Sequence, residues 1–189
     1  MNDTTTLLLG PLLALIPVLV WELAIKPSRV RRNLALLLVA ELELNLEEIA
    51  YYLVCLNEDP EHHLVNLMLP RTAFIAAQTL LAELPARDLR DVIRFYAVTG
   101  KIDATQAGLT GTQARLHGAS VEEERVVVRA ALLAGTRALA RRLADAWTLG
   151  LDARASLDDV VRASWMDAPP PLATEETIRA AAQRRRAHG

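Results

Sequence analysis

The hydrophobic pattern separates one uninterrupted apolar run from a longer series of amphipathic segments. The run covers residues 7–25, and Glu22 is the single ionisable residue among its 19 positions. As a helix with a rise of about 1.5 Å per residue, the run would extend over about 28 Å, close to the roughly 30 Å of a bilayer's hydrocarbon core. We therefore predict a transmembrane helix inside an N-terminal membrane anchor, residues 1–26.

Two other interpretations of the apolar run stay open. A cleaved signal peptide needs positive charge before the apolar stretch and small residues at a cleavage site. The opening MNDTTT contains Asp3 but no Lys or Arg, and no A-x-A pattern follows the run, so a signal peptide is the weaker alternative. Pro11 and Pro17 each remove a backbone donor, which counts against a straight transmembrane helix. A hydrophobic helix buried in a soluble oligomer is the second alternative.

Basic residues follow the apolar run at once. Lys26, Arg29 and two further arginines place four cations within seven residues, and the positive-inside rule assigns this end of the run to the cytoplasm. Trp21 falls at the predicted inner interface, and Glu22 precedes Lys26 by one turn, where the two can pair. The predicted membrane-interface residues are Trp21, Glu22, Lys26, Arg29, Arg31 and Arg32.

A second helix is predicted over residues 28–57, which contain no Gly or Pro. Glu41, Asn45 and Glu48 fall in the middle of its apolar face, whereas Glu43 falls on the opposite, solvated face. Because unpaired burial of charge is costly, the first three residues need partners. We expect either a structural network that fixes the helix register or a binding site for a partner or a cation. The predicted network comprises Glu41, Asn45, Glu48 and Tyr52.

Two shorter amphipathic helices are predicted after Pro70, over residues 71–84 and 86–98, with Pro85 between them. Residues 100–119 contain four glycines and are expected to include a loop. The predicted core positions of the two helices are Phe74, Ala77, Leu81 and Leu84, then Leu89, Val92, Ile93 and Tyr96.

The remaining chain is predicted to form one long helix and two short ones. Ser120 with Glu123 matches a capping box, and the long helix is expected to end at Gly150. Ser156 is expected to begin a short helix before a proline spacer. Thr174 begins a segment with acidic first residues and basic last ones, which we interpret as a flexible, solvated tail.

Composition favours helices throughout. Of the 189 residues, 52 % are hydrophobic and 4 % are aromatic, and Leu, Ala and Arg favour helix over strand. Cys55 is the single cysteine, which excludes an intrachain disulfide. We predict an all-α fold with an N-terminal transmembrane helix and a cytoplasmic antiparallel helical bundle, residues 27–150. A short helix, a proline spacer and a basic C-terminal tail follow, residues 151–189.

No short motif predicts catalysis. GLTGT, residues 108–112, lacks the Gly-Lys-Ser/Thr ending and the preceding strand of a phosphate-binding loop. The adjacent His62 and His63 would point about 100° apart on a helix and are poorly placed to share a metal ion. The three arginines at 184–186 have no interleaved aromatic residues, so a nucleic-acid partner is not expected. We expect a protein that is not an enzyme, with no cofactor, no metal and no small-molecule substrate.

Three stretches resemble a set of bacterial single-pass membrane proteins of uncharacterised function. They are VAELELNLEEI, LPRTAFIAAQTLLAELP and RDLRDVIRFY, and the resemblance covers residues 6–100. It implies a cytoplasmic helical domain on a membrane tether and supplies no activity. The implied location is the bacterial inner membrane, with a single pass and the N-terminus outside.

The leading functional hypothesis is a membrane-anchored helical interaction or assembly protein, including an accessory subunit of a larger complex. Its expected partners are the lipid bilayer, through residues 7–25, and a protein or a second copy of the chain. A membrane-active, pore-forming effector is one alternative, since Gly10 and Ala14 are spaced to let two helices approach closely. A metal enzyme that uses the carboxylates of Glu41 and Glu48 is the other.

Overall fold

The computed structural model describes residues 21, 25–58, 67–163 and 174–188. Within these ranges the protein is all helical and contains no strand, which confirms the predicted fold class of a helical bundle. The helices are α1 (Lys26–Glu58), α2 (Thr72–Ala76), a 3₁₀ helix (Leu81–Glu83), α3 (Ala86–Gly118), α4 (Glu122–Arg162) and α5 (Glu175–His188).

Helix α4 is the centre of the bundle, and it packs along both α3 and α1. The short connection at residues 119–121 makes α3 and α4 an antiparallel hairpin. Helix α1 is also antiparallel to α4, because its Glu43 pairs with Arg154 and its later Leu46 lies beside the earlier Gly150. Helix α5 packs on α1.

The core is built from leucines and a few larger side chains that repeat at helical spacing. The helical spacing of α1 predicts Leu34, Leu37 and Leu38 on its apolar face; Leu34 and Leu38 are buried, whereas Leu37 is 49 % exposed. In α3, Ile93 was expected in the core but is 46 % exposed. The fully buried large side chains include Leu38, Leu42, Leu46, Ile49, Phe95, Ile102, Leu139, Leu143, Leu157 and Ile178.

The loop predicted within residues 100–119 is wrong, because α3 runs through these residues without interruption. Glycine lowers helix stability by about 1 kcal/mol relative to alanine, but tertiary packing can outweigh that cost. Ile102 and Leu109 are buried at helical spacing in this half of α3, so packing against α4 sustains the helix across Gly108 and Gly111.

The helix end predicted at Gly150 is also wrong, since α4 continues to Arg162. A Cβ atom at Gly150 would lie 2.8 Å from Leu46 Cδ2 and 3.0 Å from Phe95 Cε2. The glycine therefore permits close packing of α4 on α1 and α3. Ser156 lies inside α4, so it begins no separate helix, and the boundary drawn at residue 150 falls within a continuous helix.

The predicted capping box at the start of α4 does not form. Val121 is the N-cap residue, and no side chain caps the helix there. Instead, the Arg125 side chain donates a hydrogen bond from Nε to the Ala119 carbonyl, at 2.9 Å. This contact helps to close the turn between α3 and α4.

The helix predicted over residues 71–84 is replaced by two short elements, α2 and the 3₁₀ helix. The C-terminal segment also differs from its prediction, because it packs where no packing was expected. It was expected to be a solvated tail, but Ile178 is fully buried and Ala182 is 3 % exposed, so α5 docks on the bundle.

None of the helices in the described part of the chain combines the length and the apolar character that crossing a membrane requires. The predicted transmembrane run, residues 7–25, lies outside the described residues except for Trp21 and Ile25. Glu22, the proline spacer and the paired histidines at 62 and 63 also lie outside them.

Candidate functional site

The most concentrated set of buried polar contacts joins α1 and α3 to the connecting segment, which we define as residues 67–84. Glu41 is 6 % exposed and Asn45 is fully buried, both on the inner face of α1. Both side chains reach backbone groups of the connecting segment. The structure thus brings together two of the four residues predicted to form a polar network.

The Glu41 carboxylate accepts three hydrogen bonds. The backbone N–H groups of Ala73 and Phe74 donate to it at 2.6 Å and 3.1 Å, and the Tyr96 hydroxyl donates at 2.6 Å. Ala73 and Phe74 lie in the first turn of α2, where N–H groups have no partner within the helix. Arg71, the N-cap residue of α2, provides no side-chain cap, so Glu41 performs the capping role from another helix.

Asn45 and Gln106 hold the beginning of the connecting segment. Asn45 Nδ2 donates to the Pro70 carbonyl at 2.9 Å, while its buried Oδ1 has no partner among the described residues. The Gln106 amide faces the backbone of Leu67. With its nitrogen turned toward the Leu67 carbonyl, it donates at 3.0 Å and accepts from the Leu67 N–H at 2.9 Å.

Arg71 links the same segment to α3 through an ion pair with Asp103. The two side chains are 37 % and 36 % exposed, so water weakens the attraction and the pair contributes modestly to stability. A Cβ at Gly100 would lie 3.4 Å from Arg71 Nη1. The arginine therefore lies close against the backbone of α3.

Tyr96 connects the carboxylate to an aromatic stack. Its ring lies 4.1 Å from that of Phe74, at an interplanar angle of 15°, and meets Phe95 edge-on at 5.1 Å. Burial raises the pKa of the Tyr96 hydroxyl well above its ordinary value, and the hydrogen bond to Glu41 and the charge of Glu41 raise it further. The Tyr96 hydroxyl therefore keeps its proton at physiological pH and donates it in the hydrogen bond to the Glu41 carboxylate.

The other two members of the predicted network are placed differently. Glu48 is half-buried one turn beyond Asn45 on α1. Tyr52 is 6 % exposed, and its ring meets Tyr51 edge-on at 5.7 Å. Glu43, expected to be solvated, is instead half-buried and accepts a hydrogen bond from Arg154 Nε at 3.0 Å. The pair of Glu43 and Arg154 fastens α1 to α4.

The basic first two turns of α1 contain most of the predicted membrane-interface residues. Lys26, Arg29 and Arg31 are exposed, and Arg32 is half-buried. The Arg29 guanidinium lies 5.0 Å from the centre of the Trp21 ring, at cation–π distance. An indole and several cations thus lie together at the beginning of α1.

A second polar cluster lies between α3 and the end of α4. Ser156 donates a hydrogen bond to Asp91 at 3.0 Å, and Asp152 and Asp159 line the same surface cavity. The pKa of nearby Asp88 is raised above its ordinary value, chiefly by burial. The charge of Arg87 offsets part of this rise, and the charges of Asp159 and Asp91 add to it. Across residues 25–58, 67–163 and 174–188, no three His, Cys, Asp or Glu side chains are arranged to hold a metal ion.

A cavity of about 350 Å³ lies where α5 meets α1 and α4. Leu53, Trp147 and Arg179 are among the residues that line it. The Arg179 guanidinium lies 4.9 Å from the centre of the Trp147 ring and also pairs with Glu175 at 2.9 Å. This cation–π contact helps to hold α5 against the bundle.

No family model matches the chain, no curated protein is similar to it, and no solved structure matches its fold. The resemblance to bacterial single-pass membrane proteins therefore stays a prediction.

Sequence reasoning found Glu41 and Asn45 but missed the groups that they bind. Phe74 and Tyr96 were assigned to the core, and the structure buries Tyr96 while its hydroxyl serves Glu41. A tyrosine at a core position is a signal for such a donor, because a buried hydroxyl needs a partner. The backbone donors at Ala73 and Phe74 have no sequence signal, since every residue except proline provides an N–H group.

Proposed function

We propose that this chain is a membrane-anchored helical interaction or assembly protein without catalysis of its own, such as an accessory subunit of a larger complex. In this proposal residues 7–25 cross the bacterial inner membrane once, and the helical bundle lies on the cytoplasmic side. The bundle offers surfaces to a protein partner or to a second copy of the chain.

The observation that carries the proposal is the junction between the apolar run and α1. Residues 7–25 have the length and composition of a bilayer-spanning helix. Trp21 lies near the end of this run, and the Arg29 guanidinium lies over its ring. Lys26 and Arg31, which follow the run, are exposed. An amphipathic ring with adjacent cations is the arrangement favoured at a cytoplasmic membrane interface.

The polar cluster supports an interaction role, because its side chains bind groups of the chain itself. Three donors from the chain itself occupy the Glu41 carboxylate, and Asn45 binds the Pro70 carbonyl. These side chains fix the connecting segment against α1 and α3. A rigid helical bundle of this kind is suited to presenting helix faces to a partner.

Membrane insertion is tested by placing one charge in the apolar run. Leu15→Arg puts a cation near the middle of the run, where insertion scales assign a cost of about 2.5–3.5 kcal/mol. Leu44→Arg is the matched control, because Leu44 is 59 % exposed on α1. We expect the full chain and Leu44→Arg to resist carbonate extraction from bacterial membranes, and Leu15→Arg to be released. A soluble full chain would overturn the anchor.

Orientation is tested by thiol labelling in intact cells. Thr5→Cys lies before the apolar run, and Ala114→Cys is exposed on α3. An impermeant maleimide should label Thr5→Cys in whole cells and Ala114→Cys only after lysis. The reverse pattern would contradict a cytoplasmic bundle. The proteins that co-purify with the full chain but not with a version beginning at Ser28 would then identify the process.

A further inference from the structure

The outer face of α4 carries a charged and apolar stripe near the tip of the α3–α4 hairpin. Its apolar part is exposed, with Val126 at 61 % and Val127 at 69 % exposure. Ala130 and Ala134 continue it and are also exposed. The α4 stripe, as we call it, comprises Glu123, Val126, Val127, Ala130, Ala134 and Arg137, all exposed on one side of the helix.

The stripe has opposite charges at its two ends. Glu123 and Arg137 are each seven residues from Ala130, so all three lie within about 20° of one line along the helix. If a second α4 lies antiparallel with Ala130 opposite its own copy, Glu123 of each chain faces Arg137 of the other. The stripe is therefore complementary to itself under a twofold rotation, as a closed dimer interface requires.

Side-chain size agrees with the same register. Val126 of one chain falls opposite Ala134 of the other, so at these positions a larger residue meets a smaller one. Ala130 at the centre lets two helix axes approach to the short end of the usual 8–10 Å range. The charges at the two ends of the stripe thus select one alignment of the two helices.

We propose that the α4 stripe pairs with the α4 stripe of a second copy of this chain, antiparallel and centred on Ala130. This inference deepens the interaction role proposed above by naming its surface and its partner. The stripe is only about 21 Å long at about 1.5 Å per residue, so the interface is small and the dimer weak in dilute solution.

A charge swap tests the register. Glu123→Arg gives the stripe two positive ends and Arg137→Glu gives it two negative ends, so each variant repels its own copy. Mixed together, the two variants restore both attractive pairs. We expect each variant alone to form at least about fivefold less dimer than the natural chain, since like charges in both symmetry-related pairs oppose association. An equimolar mixture should recover the dimer.

Crosslinking provides the measurement. In the full chain with the buried Cys55 changed to alanine, Ala130→Cys places one thiol at the twofold axis, and a short bis-maleimide reports dimers. Ala114→Cys, exposed on α3 and outside the stripe, is the matched control. Circular dichroism checks that every variant is folded. The experiment is carried out in the mild detergent or buffer that disperses the chain.

Preferential crosslinking at position 130, lost in each charge variant and regained in their mixture, supports the dimer. Equal crosslinking at positions 130 and 114, no crosslinking at 130, or insensitivity to the charge swap would overturn it. A stripe that binds a different protein would give no crosslinking at position 130. Because membrane insertion is measured separately with Leu15→Arg, failure of the dimer leaves the anchor proposal standing.

Discussion

The two halves of the α3–α4 hairpin use similar helices in different surroundings. At its root, residues 86–102 and 139–162, the hairpin also packs against α1, and Phe95 and Leu143 are completely buried. At its tip, residues 103–118 and 122–138, Leu109 and Leu132 are buried between α3 and α4 while Val126 and Val127 lie in water.

The difference shows that burial of an apolar residue here depends on how many helices surround it. A helix with one neighbour buries one stripe, whereas a helix with several neighbours buries most of its circumference. Substitutions at the crowded positions of the root should therefore cost stability, and substitutions at the exposed positions of the tip should be neutral or stabilising. Single substitutions in the two regions test that contrast.

Removal of the buried carboxylate should have the largest effect. Glu41→Ala leaves the Tyr96 hydroxyl and the N–H groups of Ala73 and Phe74 without their acceptor. At about 1–3 kcal/mol per buried unsatisfied group, with some relief from local rearrangement, we expect the free energy of unfolding to fall by about 3–4 kcal/mol in urea titrations. Asp145→Ala, at an exposed position inside α4, is the control and should change stability by no more than about 0.5 kcal/mol. A loss below about 1 kcal/mol for Glu41→Ala would contradict the assigned role of the cluster.

Loss of the Tyr96 hydroxyl should have the next largest effect and should change the pH dependence of stability. Tyr96→Phe removes one hydrogen bond to a charged group, worth about 1.5–3 kcal/mol. The folded-state pKa of Tyr96 is raised by burial and by Glu41, so the folded protein holds this proton more tightly than the unfolded chain. The resulting stabilisation is fully present below the unfolded pKa of about 10 and is lost as pH rises above it.

Urea titrations between pH 8 and pH 11 measure this dependence, taking the range from the ordinary tyrosine pKa of about 10. Stability of the natural chain should decline toward the alkaline end, and Tyr96→Phe should decline less steeply. Parallel curves for the two proteins would show that Tyr96 does not hold its proton through this cluster.

Two glycine substitutions give the most direct comparison of root and tip. A Cβ at Gly150 would be 3.0 Å or closer to Leu46 and Phe95, whereas a Cβ at Gly108 would meet nothing within 4 Å. We expect Gly150→Ala to destabilise the protein by about 1 kcal/mol or more, because overpacking costs about 1–3 kcal/mol against a smaller gain in helix propensity. Gly108→Ala should stabilise it by about 0.5–1 kcal/mol.

Thermal and urea unfolding of the two alanine variants measure this pair, with the natural chain as reference. If both substitutions stabilise the protein, α4 does not lie as close to α1 and α3 as the distances at Gly150 require. If both destabilise it, the tip is more tightly packed than its exposed surface indicates.

The sequence was sufficient to predict the helical class because periodic burial of leucine is a local property of each segment. The spacing of Leu34 and Leu38 in α1 predicts their burial. The burial of Glu41 and Asn45 was also predictable, since they fall among those leucines on the helical wheel. Their need for partners follows from the cost of burying a charge.

Helix ends and partners were less predictable because they depend on contacts between distant residues. Gly150 resembles a helix terminator in sequence, but its function is to let α1 and α3 approach α4. Ile178 belongs to a short, highly charged helix, and it is buried because that helix packs on α1. In both cases a local rule is outweighed by packing that the local sequence does not specify.

The amino-acid sequence is enough to predict that the described chain is helical, which faces are apolar, and that Glu41 needs donors. Packing between distant segments fixes which donors these are, how far α3 and α4 extend, and that α5 docks. The physical reason is that helix propensity and amphipathicity arise within a few turns, whereas hydrogen-bond partners and close approaches arise between residues such as Glu41 and Tyr96, 55 positions apart.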